Sequence, residues 1–259
     1  MEKTVITAII QARMGSSRLP GKTLMEIEGE SLLGHLIERV KACKYVDDII
    51  ITTTTNEKDS EIVEFAKASD LAFYCGSEED VLDRFYGTAS QYNVETIVRV
   101  TPDCPMLDPE VTDSVISRYL NGNFDYVSNV LDRTYPDGLD TEIFSFEALE
   151  KTWKEAKLPS EREHVTPYIY RHPELFRLFN VKKNGEDLSR MRWTVDTEKD
   201  FKFVSMIFSK LYSPKEIFYM EDVVKLLKDN PELLAINRGI PTNEGYRLSL
   251  LKDNKSVPD

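Results

Sequence analysis

The chain contains 259 residues with a formal net charge of −12, and 41% of them are hydrophobic. This length suits one large domain with a sizeable core, and the acidic balance argues against nucleic acid or an anionic membrane as a partner. No apolar run reaches the roughly 18 residues of a membrane span, and the first residues do not resemble a secretory signal. Three widely spaced cysteines predict neither a disulfide framework nor a zinc site, so we expect a cytoplasmic protein.

Strand and helix patterns alternate through the first half of the chain. Apolar runs predict strands at 5–10, 48–52, 71–74 and 95–100, and helical spacing predicts helices at 32–40, 57–68, 80–91 and 109–120. Ser31 is the expected N-cap of the first of these helices, and Pro109 is the expected first residue of the last. This order predicts an α/β fold with a mostly parallel sheet that helices cover on both faces. Ligands bind such sheets beyond the carboxyl ends of the strands, so the loop after the first strand is a candidate site.

That loop is cationic. Residues 9–24 read IIQARMGSSRLPGKTL, and no acidic residue occurs between Lys3 and Glu26. The loop combines flexible backbone, hydroxyls and three cations: Arg13, Gly15, Ser16, Ser17, Arg18, Gly21 and Lys22. Charged loops are often only solvated surface, but three cations directly after a strand favour binding of a polyphosphate.

The loop is not a P-loop. A P-loop has four residues between its glycine and the Gly-Lys pair, whereas five separate Gly15 from Gly21 here. Pro20 also removes a backbone N–H that should donate to phosphate.

Two carboxylates follow predicted strands further along the chain. Asp103 stands between Pro102 and Pro105, and Asp196 ends a strand predicted at 191–195. Each has a simpler explanation, since Asp103 suits a turn and Asp196 suits a helix N-cap. Both are nevertheless expected at the same edge of the sheet, where two carboxylates can share a Mg²⁺ ion.

The second half is less regular. We expect strands at 124–130 and 175–181, helices at 145–156 and 219–229, and a loosely attached tail from 231 onwards. Asp140 and Glu142 alternate on an extended segment and are expected on one side of it. Ser160 and Glu163 predict a capping box at the start of a further helix, which also carries Arg162 and His164.

The sequence of the cationic loop resembles the signature of sugar cytidylyltransferases, A-R-x-x-S-x-R-L-P-x-K-x-L. The matching residues are Ala12, Arg13, Ser16 (or Ser17), Arg18, Leu19, Pro20, Lys22 and Leu24. The opening is most similar to the spore-coat polysaccharide branch, whose relatives activate 3-deoxy-octulosonic and sialic acids. The likeness extends over roughly 5–229, with D-C-P-M-L at 103–107 and D-T-x-x-D at 196–200. The Met106 in the former departs slightly from the family pattern.

The resemblance implies a three-layer, Rossmann-like nucleotide-diphospho-sugar transferase fold with a small inserted subdomain. It implies Arg13, Lys22, Asp103 and Asp196 as catalytic residues and the two aspartates as Mg²⁺ ligands. From their own chemistry, Asp140 and Glu142 are candidates to bind acceptor hydroxyls, and Arg162 and His164 are candidates to bind an anionic group of the acceptor. The implied nucleotide-binding residues are Ile10, Gln11, Ala12, Arg13, Gly15, Ser16, Ser17, Arg18, Lys22, Arg84 and Thr101. The alternative for Arg84 is that it forms only a surface ion pair, which contributes little to stability.

The function that the resemblance implies is transfer of CMP from CTP to a sugar acceptor, such as a keto-acid sugar for a surface polysaccharide of the cell envelope, with release of pyrophosphate. A glycosyltransferase with a nucleotide-sugar donor is the alternative, although three cations fit a triphosphate better and the first 130 residues contain no Asp-x-Asp motif. A non-catalytic nucleotide sensor would not need both carboxylates. We expect one domain over 1–229, an acceptor or dimerisation insertion at about 124–190, a C-terminal tail at 230–259, and a homodimer.

Overall fold

The computed structural model describes residues 4–16 and 18–256, so the predicted role of Ser17 lies outside the described residues. The strands are β1 Ile6–Gln11, β2 Glu26–Ile27, β3 Glu30–Ser31, β4 Asp48–Thr54, β5 Ala72–Gly76, β6 Thr96–Val100, β7 Tyr126–Ser128, β8 Glu142–Ser145 and β9 Leu178–Asn180. The helices are α1 Leu32–Lys41, α2 Ser60–Ala68, α3 Val81–Tyr92, α4 Pro109–Leu120, α5 Phe146–Glu155, α6 Pro159–His164, α7 Pro167–Arg171, α8 Glu198–Leu211, α9 Met220–Asp229 and α10 Glu244–Ser256.

Within the described residues, seven strands form one mixed sheet in the order β5-β4-β1-β6-β8-β7-β9. The first four are parallel, with Ile9 of β1 opposite Ile50 of β4 and Arg99 of β6. β8 runs antiparallel to both of its neighbours. The predicted mostly parallel sheet is therefore confirmed, and β7 to β9, from the region expected to form an inserted subdomain, extend the same sheet.

Alternating residues of the central strand enter two different cores. Ile6, Ala8 and Ile10 of β1 pack with apolar residues of α1, α2 and α4 on one face. Ile9 packs on the opposite face with α3, α5 and α7. Both sets are almost completely buried, as expected for a strand that helices cover on both sides. The three-layer arrangement fixes the carboxyl ends of β1, β4 and β6 at one edge.

Side-chain caps fix where several helices begin. The Ser31 hydroxyl accepts from the Gly34 amide, which confirms the predicted cap of α1. The predicted capping box of Ser160 with Glu163 is wrong. The N-cap of α6 is Leu158, two residues earlier, and the Glu161 carboxylate accepts from the Leu158 amide instead. The proline at the first helical position favours this start, because its φ is already helical and it lacks an N–H.

The strand predicted at 191–195 does not form. Its backbone makes one bridge, between Arg192 and Asp137, and then leads into α8. Thr197 caps α8 reciprocally with Asp200. The segment is held by the turn at Asp137, whose carbonyl accepts from the amides of Trp193 (2.6 Å) and Thr194 (3.0 Å).

The expectation of a loosely attached tail is wrong for residues 231–256. Leu233 is buried, and the side-chain amide of Asn237 donates through Nδ2 to the Arg192 carbonyl and the Asp200 carboxylate. α10 packs against α6, with Ser249 and Asp253 both buried. The sequence gives no sign that α10 packs on the domain, because its contacts are hydrogen bonds between polar side chains and not burial of apolar ones. Among the helices of residues 4–16 and 18–256, none is both long and apolar enough to cross a membrane.

Candidate active site

A cavity of about 640 Å³ opens at the carboxyl ends of β1 and β6. The predicted site residues that line it are Gln11, Ala12, Arg13, Gly15, Ser16, Arg18, Lys22, Arg84, Thr101, Asp103, Asp140, His164 and Asp196. They come from distant parts of the chain, and the sheet brings them together at the edge where ligands bind this class of fold.

Local hydrogen bonds hold the cationic loop in shape. The Thr23 hydroxyl donates to the Arg13 carbonyl (2.9 Å), and the buried Asp59 carboxylate accepts from the Met14 amide (2.6 Å). Gly21 adopts a φ of +71°, a left-handed conformation that glycine adopts without strain, and turns the chain into a short 3-10 segment, Lys22–Leu24. The turn directs the Lys22 side chain into the cavity.

The ammonium of Lys22 lies between the two predicted metal carboxylates. Lys22 Nζ is 3.0 Å from Asp103 Oδ2 and 2.9 Å from Asp196 Oδ1, and it also donates to the Val195 carbonyl. Burial acts to lower the pKa of Lys22, but the two carboxylates outweigh it and the pKa is raised. Burial likewise acts to raise the pKa of Asp103, and the Lys22 charge lowers it. The two aspartates therefore converge on one cation position.

Backbone hydrogen bonds set the spacing of these carboxylates. The Asp103 carbonyl accepts from the Val195 amide (2.8 Å) and from the Thr194 hydroxyl (3.2 Å). The turn after β6 is thus attached directly to the segment that ends in Asp196. No regular strand is needed to bring the two acids together.

Asp196 is held by three cations. Its Oδ1 contacts Arg18 and Lys22, each at 2.9 Å, while its Oδ2 accepts from Arg192 at 2.9 Å. Arg192 is buried and also pairs with Asp137 and Asp200. It orients Asp196 from behind, because its guanidinium is fixed by the other two carboxylates.

Two cations that line the cavity form no ion pair within the described part of the chain: Arg13 and Arg84. Arg84 is 1% exposed, and its Nε has no hydrogen-bond partner there. Its guanidinium donates to the Ser77 and Glu78 carbonyls instead. Burial, followed by the charge of Arg13, lowers the pKa of Arg84 to about 10, so it remains charged at neutral pH.

Gly76 makes room for the buried arginine. A Cβ at this position would lie 2.7 Å from Arg84 Cγ and 2.9 Å from the Tyr74 ring. The end of β5 must therefore lack a side chain if Arg84 is to pass beneath it.

A second cavity of about 340 Å³ adjoins the first and shares Arg99, Thr101, Asp140 and His164 with it. Asp140 is held by Arg133 through two parallel hydrogen bonds. Burial, followed by the nearby charge of Arg99, lowers the pKa of His164 to about 4, so its imidazole is neutral at pH 7.

Glu142 lines this second cavity and not the first. It is buried and pairs with Arg99, and its Oε1 accepts from the Tyr126 and Thr166 hydroxyls, each at 2.6 Å. Asp140 and Glu142 were expected on the same side of an extended segment, yet their environments differ. The Asp140 carboxylate is partly exposed to the cavities, whereas both carboxylate oxygens of Glu142 are paired.

Two predicted site residues do not reach the cavities. Ile10 is fully buried in the core against α1 and α4. Arg162 points away, with its Nε donating to Asp80 (2.9 Å) and Nη1 donating to the Trp153 carbonyl (2.8 Å). Arg162 therefore joins α6 to the start of α3 and to α5, and neither residue faces a ligand directly.

Sequence reasoning missed Asp137, Arg192 and the α10 residues of the cavity wall. Asp137 sits in a Pro-Asp-Gly turn that its own chemistry explains, yet its carboxylate lines the cavity. Burial and the neighbouring Asp140 raise its pKa to about 6. The sequence feature that could have indicated this role is the number of carboxylates in residues 132–142, which is more than a turn requires.

The arrangement suits chemistry on a polyphosphate. Asp103 and Asp196 supply hard oxygen donors around one cation position, and Lys22 Nζ occupies that position here. No group of three potential metal-binding side chains occurs among residues 4–16 and 18–256. The two carboxylates fit Mg²⁺ if phosphate oxygens and water complete its coordination. Cations along the loop provide the complementary charge for phosphates.

The fold and this site define a nucleotidyltransferase. The chain belongs to the cytidylyltransferase family, whose model matches residues 7–223, and it is therefore an enzyme of that class. This match confirms the resemblance of the loop sequence to the cytidylyltransferases.

Relatives agree with this membership. The chain is 41% identical to an uncharacterized protein of Methanocaldococcus jannaschii, over 93% of this chain and 98% of the other. It is 32% identical to the spore coat polysaccharide biosynthesis protein SpsF of Bacillus subtilis, over 88% and 95%. A 3-deoxy-manno-octulosonate cytidylyltransferase of Geobacter sulfurreducens is 31% identical over 43% of this chain and 44% of its own. A solved cytidylyltransferase of Leptospira borgpetersenii superposes with a TM-score of 0.85 at 33% identity, over 92% of this chain and all of the other.

Proposed function

We propose that this cytidylyltransferase transfers CMP from CTP to a hydroxyl group of a sugar acceptor and releases pyrophosphate, with Mg²⁺ as the metal. The observation that carries the proposal is the convergence of a cationic loop and two carboxylates on one cavity. A triphosphate brings about four negative charges, and an in-line attack on its α-phosphorus needs charge stabilisation on both the attacking and the leaving side.

The nucleotide phosphates would bind along the loop. Arg13 and Arg84 are available without breaking an ion pair in the described structure, whereas Arg18 and Lys22 first exchange a carboxylate for a phosphate. Gly15 offers its backbone N–H and Ser16 its hydroxyl to the same oxygens, whereas the Ser16 N–H donates to the Met14 carbonyl (2.9 Å). Thr101 lies across the cavity. These groups would stabilise the negative charge of the departing pyrophosphate.

Asp103 and Asp196 would hold Mg²⁺. When bound, the metal would neutralise phosphate charge and favour the ionised form of a nearby hydroxyl. Arg192 keeps Asp196 oriented, and the ties between Asp103 and Val195 fix the distance between the two carboxylates.

The second cavity suits the acceptor. Its polar lining includes Asp140, with a half-open carboxylate, and the neutral imidazole of His164. Such groups exchange hydrogen bonds with sugar hydroxyls. Glu142 would act by positioning Arg99, since its own oxygens are fully paired. A keto-acid sugar is the proposed class because of the named octulosonate relative. Membership of the cytidylyltransferase family disfavours the alternative, a glycosyltransferase. The homodimer, the cytoplasmic location and the domain limits at 229 and 124–190 remain predictions.

Calorimetry with the four ribonucleoside triphosphates tests the proposal. We expect selective binding of CTP in the presence of Mg²⁺, weakened at least about tenfold by Asp103→Asn and by Lys22→Ala. With EDTA in place of Mg²⁺, Asp103→Asn should lose this penalty, because the removed carboxylate then only repelled the triphosphate. Asp132→Asn and Lys182→Ala, an exposed ion pair outside the cavities, are the matched controls.

Equal binding of all four triphosphates would refute the base assignment. Binding that neither site variant weakens would refute the site. If both expectations hold, pyrophosphate release measured over a panel of sugar acids, sugar phosphates and neutral sugars identifies the acceptor class.

A further inference from the structure

The C-terminal helix α10 crosses the mouth of the cavity. Its first residues and the one before it, Asn243, line the first cavity, and Tyr246 lines both cavities. The helix thus forms a wall that the sequence analysis assigned to a tail, and any ligand that fills the site meets it.

The C-terminal half of α10 is firmly anchored. The buried Asp253 carboxylate accepts from the Ser160 amide (2.8 Å) and the Ser160 hydroxyl (2.6 Å) at the first turn of α6. Ser249 donates to Glu163 (2.7 Å) and contacts His164 Nε2 (3.0 Å). These partners anchor α10 at Ser249 and at Asp253.

The first turn of α10 is held differently. Glu244 Oε2 accepts from Arg18 Nη1 at 2.9 Å, and the two side chains are 44% and 32% exposed. Pairs this exposed contribute little to stability. Arg18 uses its other terminal nitrogen to pair with Asp196. Tyr246 in the same turn is held separately, since its hydroxyl accepts from Arg171 Nη2 (2.6 Å) and its ring packs edge-on against His164. Arg18 therefore joins only the Glu244 side chain to the centre of the site.

We infer that Glu244 is an internal competitor for the triphosphate: a bound nucleotide exchanges the Arg18–Glu244 pair for an Arg18–phosphate pair and releases the Glu244 side chain. This inference rests on the proposed function, which assigns Arg18 to the phosphates. A phosphate is the stronger partner, since it carries more charge than a carboxylate and accepts bidentate hydrogen bonds from arginine.

Linkage makes the exchange measurable from both sides. If the nucleotide breaks the contact between Arg18 and Glu244, then that contact must weaken nucleotide binding by the same factor.

Titration calorimetry with inorganic triphosphate and with CTP provides the first test. We expect Glu244→Gln to bind both about two- to fivefold more tightly than the wild type. Glu244→Asp retains the charge but is one methylene shorter and weakens the 2.9 Å contact with Arg18, so it should bind more tightly than the wild type. Glu232→Gln removes an exposed acid outside both cavities and should bind like the wild type. If Glu244→Asp binds like the wild type, the effect is long-range charge and the inference is overturned.

A double-mutant cycle with Arg18 provides the second test. In an Arg18→Met background, Glu244→Gln should no longer tighten binding of either probe, because Glu244 then has no arginine to withhold from the phosphates. A gain that persists without Arg18 would overturn the inference. Tighter binding of inorganic triphosphate by Glu244→Gln without any CTP binding would refute only the proposed function. CTP binding that Glu244→Gln leaves unchanged would refute only this inference. Failure of both probes to bind would refute both.

Discussion

The charged residues of the cavity differ in how their charge is balanced. Lys22 is balanced by two carboxylates and Arg192 by three, whereas Arg84 lies against backbone carbonyls alone. A buried cation without a carboxylate partner destabilises a protein, and such groups are characteristic of binding sites. The same type of substitution should therefore have opposite consequences for stability at Arg84 and at Arg192.

Replacement of Arg84 should separate stability from binding. Arg84→Met keeps much of the side-chain volume and removes a buried charge whose Nε has no partner in the described structure. We expect the free energy of unfolding to stay the same or to rise by about 1 kcal/mol, and the affinity for CTP to fall about tenfold. Chemical denaturation and calorimetry measure the two quantities. Arg177→Met, which removes an exposed partner of Asp125, is the control and should leave CTP affinity unchanged. A strong loss of stability with unchanged affinity would make Arg84 a structural residue.

Replacement of Arg192 should mainly destabilise the fold. Arg192→Met leaves Asp137, Asp196 and Asp200 without their shared cation, and Asp200 is fully buried. Removal of one partner from a buried ion pair typically costs about 3–5 kcal/mol. Urea denaturation measures the loss, and Arg192→Lys should recover only part of it because an ammonium lacks the planar fork. A loss below about 1 kcal/mol would contradict the proposed positioning role.

At the scale of elements, the turn at 136–138 connects the two halves of the site. Gly138 has a φ of +119°, and a Cβ there would lie 2.6 Å from the Thr194 nitrogen and 2.7 Å from the Trp193 carbonyl carbon. The turn and the segment leading to Asp196 can hydrogen-bond this closely only because position 138 lacks a side chain.

Gly138→Ala should therefore shift the Asp196 segment. The added methyl group meets backbone atoms, which cannot rotate away as a side chain can, so we expect a destabilisation of about 2 kcal/mol or more. CTP binding in Mg²⁺ should weaken in the variant, measured by calorimetry. Gly185→Ala is the control: Gly185 has a φ of +84°, but a Cβ there would meet nothing within 4 Å, so this variant measures the cost of backbone strain alone. Equal losses in both variants would show that close packing at 138 is unimportant.

The elements that could be predicted are those specified by local pattern. Ser31 caps α1, and Pro109 begins α4, as expected from neighbouring residues alone. The strand predicted at 191–195 failed because its apolar residues pack beside the turn at 137 instead of pairing in the sheet. Helix α10 was missed because its main anchor, Asp253, binds a residue 93 positions away, and a polar contact of that kind leaves no apolar period in the sequence.

The same distinction applies to the site. Arg13, Lys22, Asp103 and Asp196 were predicted because they lie in motifs, and all four line one cavity. Arg192 was not, because its importance arises only when Asp137, 55 positions away, joins the nearby Asp196 and Asp200 around it. Arg162 was assigned to the ligand, but Asp80 and the Trp153 carbonyl bind its guanidinium. Sequence indicates the chemistry of a residue, whereas the partners of a charged side chain are decided by packing.

Over the whole molecule, stability should depend on pH through buried histidines. Burial lowers the pKa of His164 to about 4, with Arg99 and Lys252 acting in the same direction and Glu163 and Glu142 opposing it. Burial also lowers the pKa of His35, against the opposing Ile27 carbonyl. An unfolded chain takes up protons at these histidines below about pH 6.5, whereas the folded protein does not. The folded state is therefore favoured at neutral pH and loses stability as pH falls from about 6.5 towards 4.

Urea denaturation between pH 7 and pH 5 measures this dependence. We expect the share from His164 to be roughly 1–2 kcal/mol over the interval, and His164→Gln should remove it while keeping a hydrogen-bonding group for Ser249. The dependence left in that variant belongs to His35 and to the carboxylates, including Glu163, whose pKa is lowered in the folded state even though burial opposes the shift. Because His164 connects the cavity to α10, the variant with CTP should also show whether its neutral imidazole matters for binding. An unchanged pH slope in His164→Gln would mean that the imidazole is solvated in the folded protein and that α10 does not seal this side of the site.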